Sequence, residues 1–300
     1  MEVGTMDSER IDDFVKEIFK AGTRPCNTGI EAIDAYKPYI YPFHVISQNF
    51  YVRFEPQGRS AFYGYFQPCF DKAAPLLIHT PGYGAEMSIH PELTDAFCVL
   101  HINPLGYVTP SGKDESKMTM NGLGSVYPDT ILSGGRGGYF DWLSDCVAAI
   151  EWARNRPEVL KDRLTFFGLS QGGGAALLLS SIYSGRGTKC VAADQPFLTD
   201  ITLADGRGAY GMGHELYKHL EKKDIMDALF NFDTINHAHR YDFPVLLTSG
   251  GRDSVCPAET VQNLFSKLVG TRSYTHFEHL EHGYNKEFVM LAKAWFHIYS

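Results

Sequence analysis

From residue 139 to the C-terminus the chain alternates between short apolar runs and longer stretches with helical spacing, and few folds accommodate that pattern. Residues 139–156 read as a helix, with Trp142, Leu143, Cys146, Val147, Ile150 and Trp152 on its apolar side and Pro157 closing it. Residues 163–169 then read as a strand, 172–183 as a helix and 190–193 as a strand. After a gap come a strand at 244–249, a helix at 257–268, a strand at 273–277 and a last helix at 284–299. Neighbouring parallel strands need a crossover, usually a helix. The alternation therefore predicts an α/β chain: a mainly parallel, twisted sheet with helices on both faces.

The N-terminal half supplies the edges of this plan. Residues 7–21 read as an amphipathic helix carrying Ile11, Phe14, Val15, Ile18 and Phe19. Residues 49–54 and 60–67 are aromatic-rich and flank Pro56-Gln57-Gly58-Arg59, which predicts an antiparallel hairpin at the sheet's edge. Apolar runs follow at 75–80 and 97–102. The gap at about 195–243 carries helical stretches of its own, near 213–229 and 232–239, and reads as a lid-like insertion above the strand ends. The expected organisation is an N-terminal helix and extended arm over 1–44, followed by one α/β domain over 45–300.

Charge and cysteine content exclude several function classes. The formal net charge is −8, and no Lys/Arg cluster interrupts the acidic balance. Nucleic-acid binding draws on phosphate neutralisation, so neither nucleic acid nor an anionic membrane surface is an expected partner. No apolar stretch approaches the ~20 residues of a membrane span, and residues 1–20 lack the basic and apolar segments of an export signal. The six cysteines are scattered without a CxxC pair, so reduced thiols, no metal and a cytoplasmic address are expected.

Gly168-Leu169-Ser170-Gln171-Gly172 matches the G-x-S-x-G pattern, which is weak alone in a chain with 29 glycines. Its context is specific: it follows the run Leu164-Thr165-Phe166-Phe167 and opens a helix at Gly172-Gly173-Gly174. A strand, a sharp turn and a helix form the nucleophile elbow of the α/β-hydrolase fold, where small residues two before and two after the serine let the strained turn close. Ser170 is therefore the candidate nucleophile.

A serine hydroxyl needs a base to take its proton, and in this fold the partners follow it in the order acid, then histidine. Asp253 ends a strand and glycine turn, Leu246 to Gly251, and is the favoured acid; Asp194, ending the preceding strand, competes with it. His282 lies in the loop before the last helix and is the favoured base, with His279 second and His276 inside a strand. The other nine histidines read as surface or capping residues. An oxyanion needs two fixed N–H donors. Gln171, directly after the nucleophile, and Tyr83, in the glycine-flanked loop after residues 75–80, are the candidates. Phe197, Leu198, Tyr210 and Met212 in the insertion are candidates to wall the acyl pocket, with Phe197 and Tyr210 foremost.

Taken together, Gly168-x-Ser170-Gln171-Gly172-Gly173, Arg136-Gly137, Asp194-Gln195-Pro196-Phe197-Leu198 and Phe232-Asp233-x-x-Asn236-x-Ala238 resemble the acetyl xylan esterase/cephalosporin C deacetylase family, carbohydrate esterase family 7, over about residues 45–300. The resemblance implies removal of acetyl groups from small oligosaccharides and cephalosporins, no metal or other cofactor, and a homo-oligomer, commonly a ring-like hexamer. It also implies that Ser170, Asp253 and His282 match the triad and that Tyr83 and Gln171 match the oxyanion donors. Two positions depart from the family pattern. Gly138 stands where Arg-Gly is usually followed by Gln, and Gly283 stands where the catalytic His is usually followed by Glu. The expected function is a serine carboxylesterase acting on short-chain, acetyl esters. A serine peptidase or amidase on the same fold and a non-catalytic binding relative are the alternatives.

Overall fold

The computed structural model describes residues 3–33, 49–69, 72–83, 93, 95–102, 126–211 and 214–300, together with four two-residue strands between 108 and 124. Among these residues, nine strands form one sheet. They are β1 (Cys26–Ile33), β2 (Asn49–Pro56), β3 (Phe62–Gln67), β4 (Ala74–Thr80), β5 (Cys98–Ile102), β6 (Val159–Leu169), β7 (Thr188–Asp194), β8 (Val245–Gly250) and β9 (Arg272–Phe277). Their spatial order is β1-β2-β3-β5-β4-β6-β7-β8-β9. β1 to β3 are antiparallel, β3 meets β5 antiparallel, and every pairing from β5 through β4 to β9 is parallel. This is the α/β-hydrolase fold.

The helices are α1 (Val3–Gly22), α2 (Val126–Leu132), α3 (Tyr139–Arg154), α4 (Gln171–Ile182), α5 (Ile201–Gly206), α6 (His214–Tyr217), α7 (Lys222–Leu229), α8 (Ala258–Lys267) and α9 (Lys286–Tyr299). Alternation along the strands divides the apolar residues between the two faces. Leu76, Ile78, Phe166, Val191, Ala193, Val245 and Leu247 enter one core with α1, α3, α4 and α8. Leu77, Phe167, Ala192 and Leu246 enter the other with Phe288, Val289, Ala292 and Phe296 of α9. Strands buried on both faces explain why they read as unbroken apolar runs.

Three expectations need correction. The hairpin is not the sheet's edge, because β1 pairs along the whole of β2 and takes that place. Its sequence, Cys26 to Ile33, leaves Asn27, Thr28, Gly29 and Ile30 exposed and so carries no period-two signal. The helix expected at 213–229 is two short ones, α6 and α7, preceded by α5, and the stretch at 232–239 is two 3₁₀ turns, Phe230–Phe232 and Thr234–Arg240. Asp233 ties two of these segments at their starts: its carboxyl accepts N–H bonds from Asp200 and Ile201 at the head of α5 and from Ile235 at the head of Thr234–Arg240. Nor does the insertion sit wholly above the strand ends, since Thr234–Arg240 packs against α1, α4 and α8.

The N-terminal helix joins the main core rather than standing apart from it. Ile11, Phe14, Val15 and Ile18 are buried in the larger core. Arg59, in the hairpin turn, donates from Nε to Asp145 of α3 at 2.7 Å and from Nη1 to the Ala21 carbonyl at 3.2 Å, which pins the end of α1.

Candidate active site

Ser170 sits where β6 ends and α4 begins, with φ 57° and ψ −122°. A non-glycine residue there carries strain of order 1–3 kcal/mol, held only because the surroundings leave no alternative. Those surroundings are tight. A Cβ on Gly168 would strike the Gly172 carbonyl, and one on Gly172 would strike the carbonyl oxygens of Thr80 and Pro81. The Thr80 hydroxyl donates to the Gly172 carbonyl at 2.8 Å, and the Ser170 N–H donates to the Asp194 carbonyl at 2.9 Å. The turn is thus clamped between the ends of β4 and β7, and its serine side chain is aimed outward.

His282 Nε2 lies 2.8 Å from Ser170 Oγ, and His282 Nδ1 lies 2.8 Å from Asp253 Oδ2. With Nδ1–H donating to the carboxylate, Nε2 is left as an acceptor for the serine hydroxyl. Asp253 is itself fixed: its other oxygen accepts the N–H groups of Val255 and Cys256, each at 2.8 Å, and its side chain is fully buried. His279 and His276 are exposed, and His276 Nδ1 is engaged by the Ser249 hydroxyl at 2.9 Å. Of His276, His279 and His282, only His282 is brought to Ser170.

Asp194 is also close, but its carboxyl points elsewhere. Thr248 donates to Oδ1, and burial, with Asp253 nearby, pushes this carboxyl up to about 7. Such a group favours its neutral form and is a poor partner for an imidazolium. Asp253 meets the ring directly; Asp194 supports the elbow through its backbone.

Sequence reasoning missed the part played by Gln195, which follows Asp194 in the left-handed region at φ 43°. Its Nε2 donates to the Glu281 carbonyl at 2.9 Å and its Oε1 accepts the Gly283 N–H at 3.0 Å. The amide therefore grips the backbone on both sides of His282. The acid and histidine loops also lie flat on one another: the N–H groups of Gly251 and Arg252 donate to the carbonyls of Phe277 and Leu280, each at 2.9 Å. A Cβ on Gly251 would strike the Glu278 carbonyl, so the glycines before Asp253 permit this contact. The sequence signal was present in those paired glycines; the partner across them was not legible.

The oxyanion candidates are near the elbow. Gln171 opens α4, at the helix end where the dipole is positive, and its side chain accepts from Tyr139 Oη at 2.9 Å. A Cβ on Gly82 would lie 3.9 Å from Ser170 Cβ, so the chain passes the nucleophile just before Tyr83. Gly84 and Met212 lie outside the described residues. Phe197 and Tyr210 are buried, their ring centroids 4.1 Å apart and flanked by Tyr127. The Phe197 N–H donates to the Ser170 carbonyl at 2.9 Å, so its backbone braces the elbow.

Three histidines read as surface or capping residues are buried instead. His79 and His101 meet Nδ1 to Nδ1 at 2.7 Å, and His237 is held by Ser181 and the Asn231 carbonyl. Burial pushes the His237 imidazole down to about 4, so it is a neutral core residue.

Residues 46–299 match the acetyl xylan esterase (AXE1) family. The chain belongs to that family. Acetyl esterase Axe7A of Xylanibacter ruminicola is 32% identical over 117 residues, which is 38% of this chain and 26% of that protein. The match thus spans about a quarter of the length of that curated relative. Acetyl xylan esterase 1 from Thermoanaerobacterium sp. JW/SL YS485 superposes with a TM-score of 0.78 at 19% identity, covering 99% of this chain and 98% of that one. Acetyl xylan esterase from Paenibacillus sp. R4 gives 0.74 at 20% identity over the whole of both chains. An acylaminoacyl peptidase of Pyrococcus horikoshii gives 0.61 at 14% identity, covering 85% of this chain and 42% of that one. At these identities the solved structures establish the shared fold.

Gly138 and Gly283 differ in what their surroundings allow. Gly138 has φ 57°, and a Cβ there would strike the Val126 carbonyl and the Thr130 hydroxyl. The backbone of this chain therefore requires glycine at 138. Gly283, by contrast, has open space around it.

Proposed function

We propose that this chain is a serine carboxylesterase that hydrolyses short-chain, acetyl esters of carbohydrates or similar small molecules through an acyl-enzyme. Ser170 is the nucleophile. His282 takes its proton as Oγ attacks the ester carbonyl, then passes that proton to the departing alcohol. Asp253 holds the ring in the tautomer that leaves Nε2 free to accept, and stabilises the imidazolium. The N–H groups of Tyr83 and Gln171 receive the charge that builds on the carbonyl oxygen. Water, activated by the same imidazole, then releases the acid. No cofactor enters this sequence.

The observation that supports the reading best is the continuous line Asp253–His282–Ser170, two contacts of 2.8 Å each, at the end of a helix whose first turn is nearly side-chain free. Family membership supports acetyl as the acyl group and, by resemblance, a homo-oligomer.

The discriminating assay compares p-nitrophenyl acetate, p-nitrophenyl butyrate and an aminoacyl anilide, with Ser170→Ala as control. Rapid acetate turnover that falls by about 10⁴-fold or more in the variant is expected. Anilide turnover exceeding acetate turnover would make the chain a peptidase, and inactivity of the wild type on all three would make it a binding relative.

A further inference from the structure

We propose that Asp233 is a positioning residue for Ser170, acting from the insertion through the strained backbone that follows β7. The inference rests on the proposed esterase mechanism, in which Ser170 is the nucleophile and His282 its base.

Backbone strain is concentrated in this chain. Among the described residues, the non-glycine residues with left-handed φ are Ser170, Gln195, Leu198, Asp200 and Tyr210. All but the nucleophile itself lie between 195 and 210. Leu198 stands at φ 61° and Asp200 at φ 47°. A leucine in that region leaves it unless its surroundings hold it there.

The same stretch forms the bed of the elbow. The Phe197 N–H donates to the Ser170 carbonyl at 2.9 Å. A Cβ on Gly174 would strike the Phe197 carbonyl, and one on Gly173 would lie 2.9 Å from the Asp194 carbonyl. Residues 194–197 therefore lie against the first turn of α4. Gln195, within them, grips the backbone on both sides of His282. A shift of this stretch moves nucleophile and base together.

Asp233 and its neighbour hold the far end of it. Asp233 Oδ1 accepts the Asp200 N–H at 2.8 Å and the Ile235 N–H at 3.2 Å, and Oδ2 accepts the Ile201 N–H at 2.8 Å. The Thr234 N–H donates to the Leu198 carbonyl at 2.8 Å, and the hydroxyls of Thr234 and Thr199 meet at 2.8 Å. Each residue from Leu198 to Ile201 is thus tied to Asp233 or Thr234. The anchor is itself firm: Phe232 is fully buried, and Thr234–Arg240 packs on α1, α4 and α8. Without the Asp233 carboxyl, the N–H groups of Asp200 and Ile201 would be left buried and unpaired, which the backbone avoids by moving. Leu198 and Asp200 would then relax, and Phe197, next in the chain, would draw the Ser170 carbonyl with it. The Phe232-Asp233-x-x-Asn236 stretch thereby acquires a task in catalysis without touching substrate.

Kinetics on p-nitrophenyl acetate and urea midpoints, measured on the same four proteins, test this. In Asp233→Ala all three contacts are lost, and kcat should fall by about 100-fold with KM little changed, the effect of a misplacement of about 1 Å. Asp233→Asn keeps the shape and one carbonyl oxygen, so a smaller fall of about tenfold is expected; it carries the test should the alanine variant fail to fold. Val52 is fully buried in β2, and β3, β5 and β4 separate it from β6. Val52→Ala should therefore lower the urea midpoint while keeping the wild-type kcat, which separates positioning from general stability. Wild-type kcat in Asp233→Asn, a KM rise at constant kcat, or an equal loss of kcat in Val52→Ala would overturn the proposal. A wild type that hydrolyses no ester would instead overturn the esterase mechanism, and the proposal with it.

Discussion

Ser170 shows how much of a catalytic group is made by residues that do no chemistry. Its left-handed backbone is held by Gly168 and Gly172, its base is held by Asp253, and its base's loop is held by Gln195. Gln195→Ala should free the segment from Glu281 to Gly283 and let the ring drift. A misplacement of about 1 Å costs on the order of 10²-fold in rate, so kcat should fall by about that much with KM little changed. Steady-state kinetics check it, and a KM rise at constant kcat would contradict it. The two acids separate more sharply. Asp253→Asn should lower kcat by ~10⁴-fold through the wrong tautomer, whereas Asp194→Asn should stay within about tenfold of wild type, since its carboxyl does not meet the ring.

Asp194 and Asp233 also set a pH dependence of stability. Burial pushes both carboxyls from 3.8 up to about 7 in the folded chain. A raised folded value means the contribution is full below the unfolded value and is lost as pH rises through about 7. Urea midpoints should therefore decline from pH 4 towards pH 8 on account of these two groups, and Asp194→Asn should remove one share of that decline. An unchanged slope in the variant would mean that this carboxyl is already ionised at low pH.

At the scale of elements, legibility followed burial. The runs that became β4 and β6 to β8 were read from sequence because strands covered on both faces leave an apolar signature. β1 escaped because Asn27, Thr28, Gly29 and Ile30 face solvent, and the stretch at 232–239 was misdrawn because Asp233, whose carboxyl accepts the Ile235 N–H, opens a 3₁₀ segment there. The elbow was legible for a steric reason: only glycine fits at 168 and 172. The clasp of Gln195 on the histidine loop was not, because a side-chain amide can grip any nearby backbone and local sequence does not say which. Gly138 belongs here too. Gly138→Ala should force apart α2 and the start of α3 at a cost of about 1–3 kcal/mol of overpacking, and Gly138→Gln should cost no less. Urea denaturation measures this, and wild-type stability in Gly138→Ala would contradict it.

For the whole molecule, the N-terminal helix is part of the architecture. Ile11, Phe14, Val15 and Ile18 are buried in the core shared with α3 and α4, each contributing about 1.5–3 kcal/mol by burial. Together these approach the whole net stability of a typical domain, about 5–15 kcal/mol. A chain beginning at residue 25 should therefore lose cooperative unfolding, seen by circular dichroism, and a sharp transition in it would contradict this. Among the described residues no helix is long and apolar enough to cross a membrane.

The most direct test of the catalytic account is to quench the protein with acid during p-nitrophenyl acetate turnover and locate the acyl group by peptide mass spectrometry. One acetyl group on the peptide carrying Ser170, absent from Ser170→Ala, is the predicted result. Acetyl on another residue, or labelling that persists in Ser170→Ala, would contradict it.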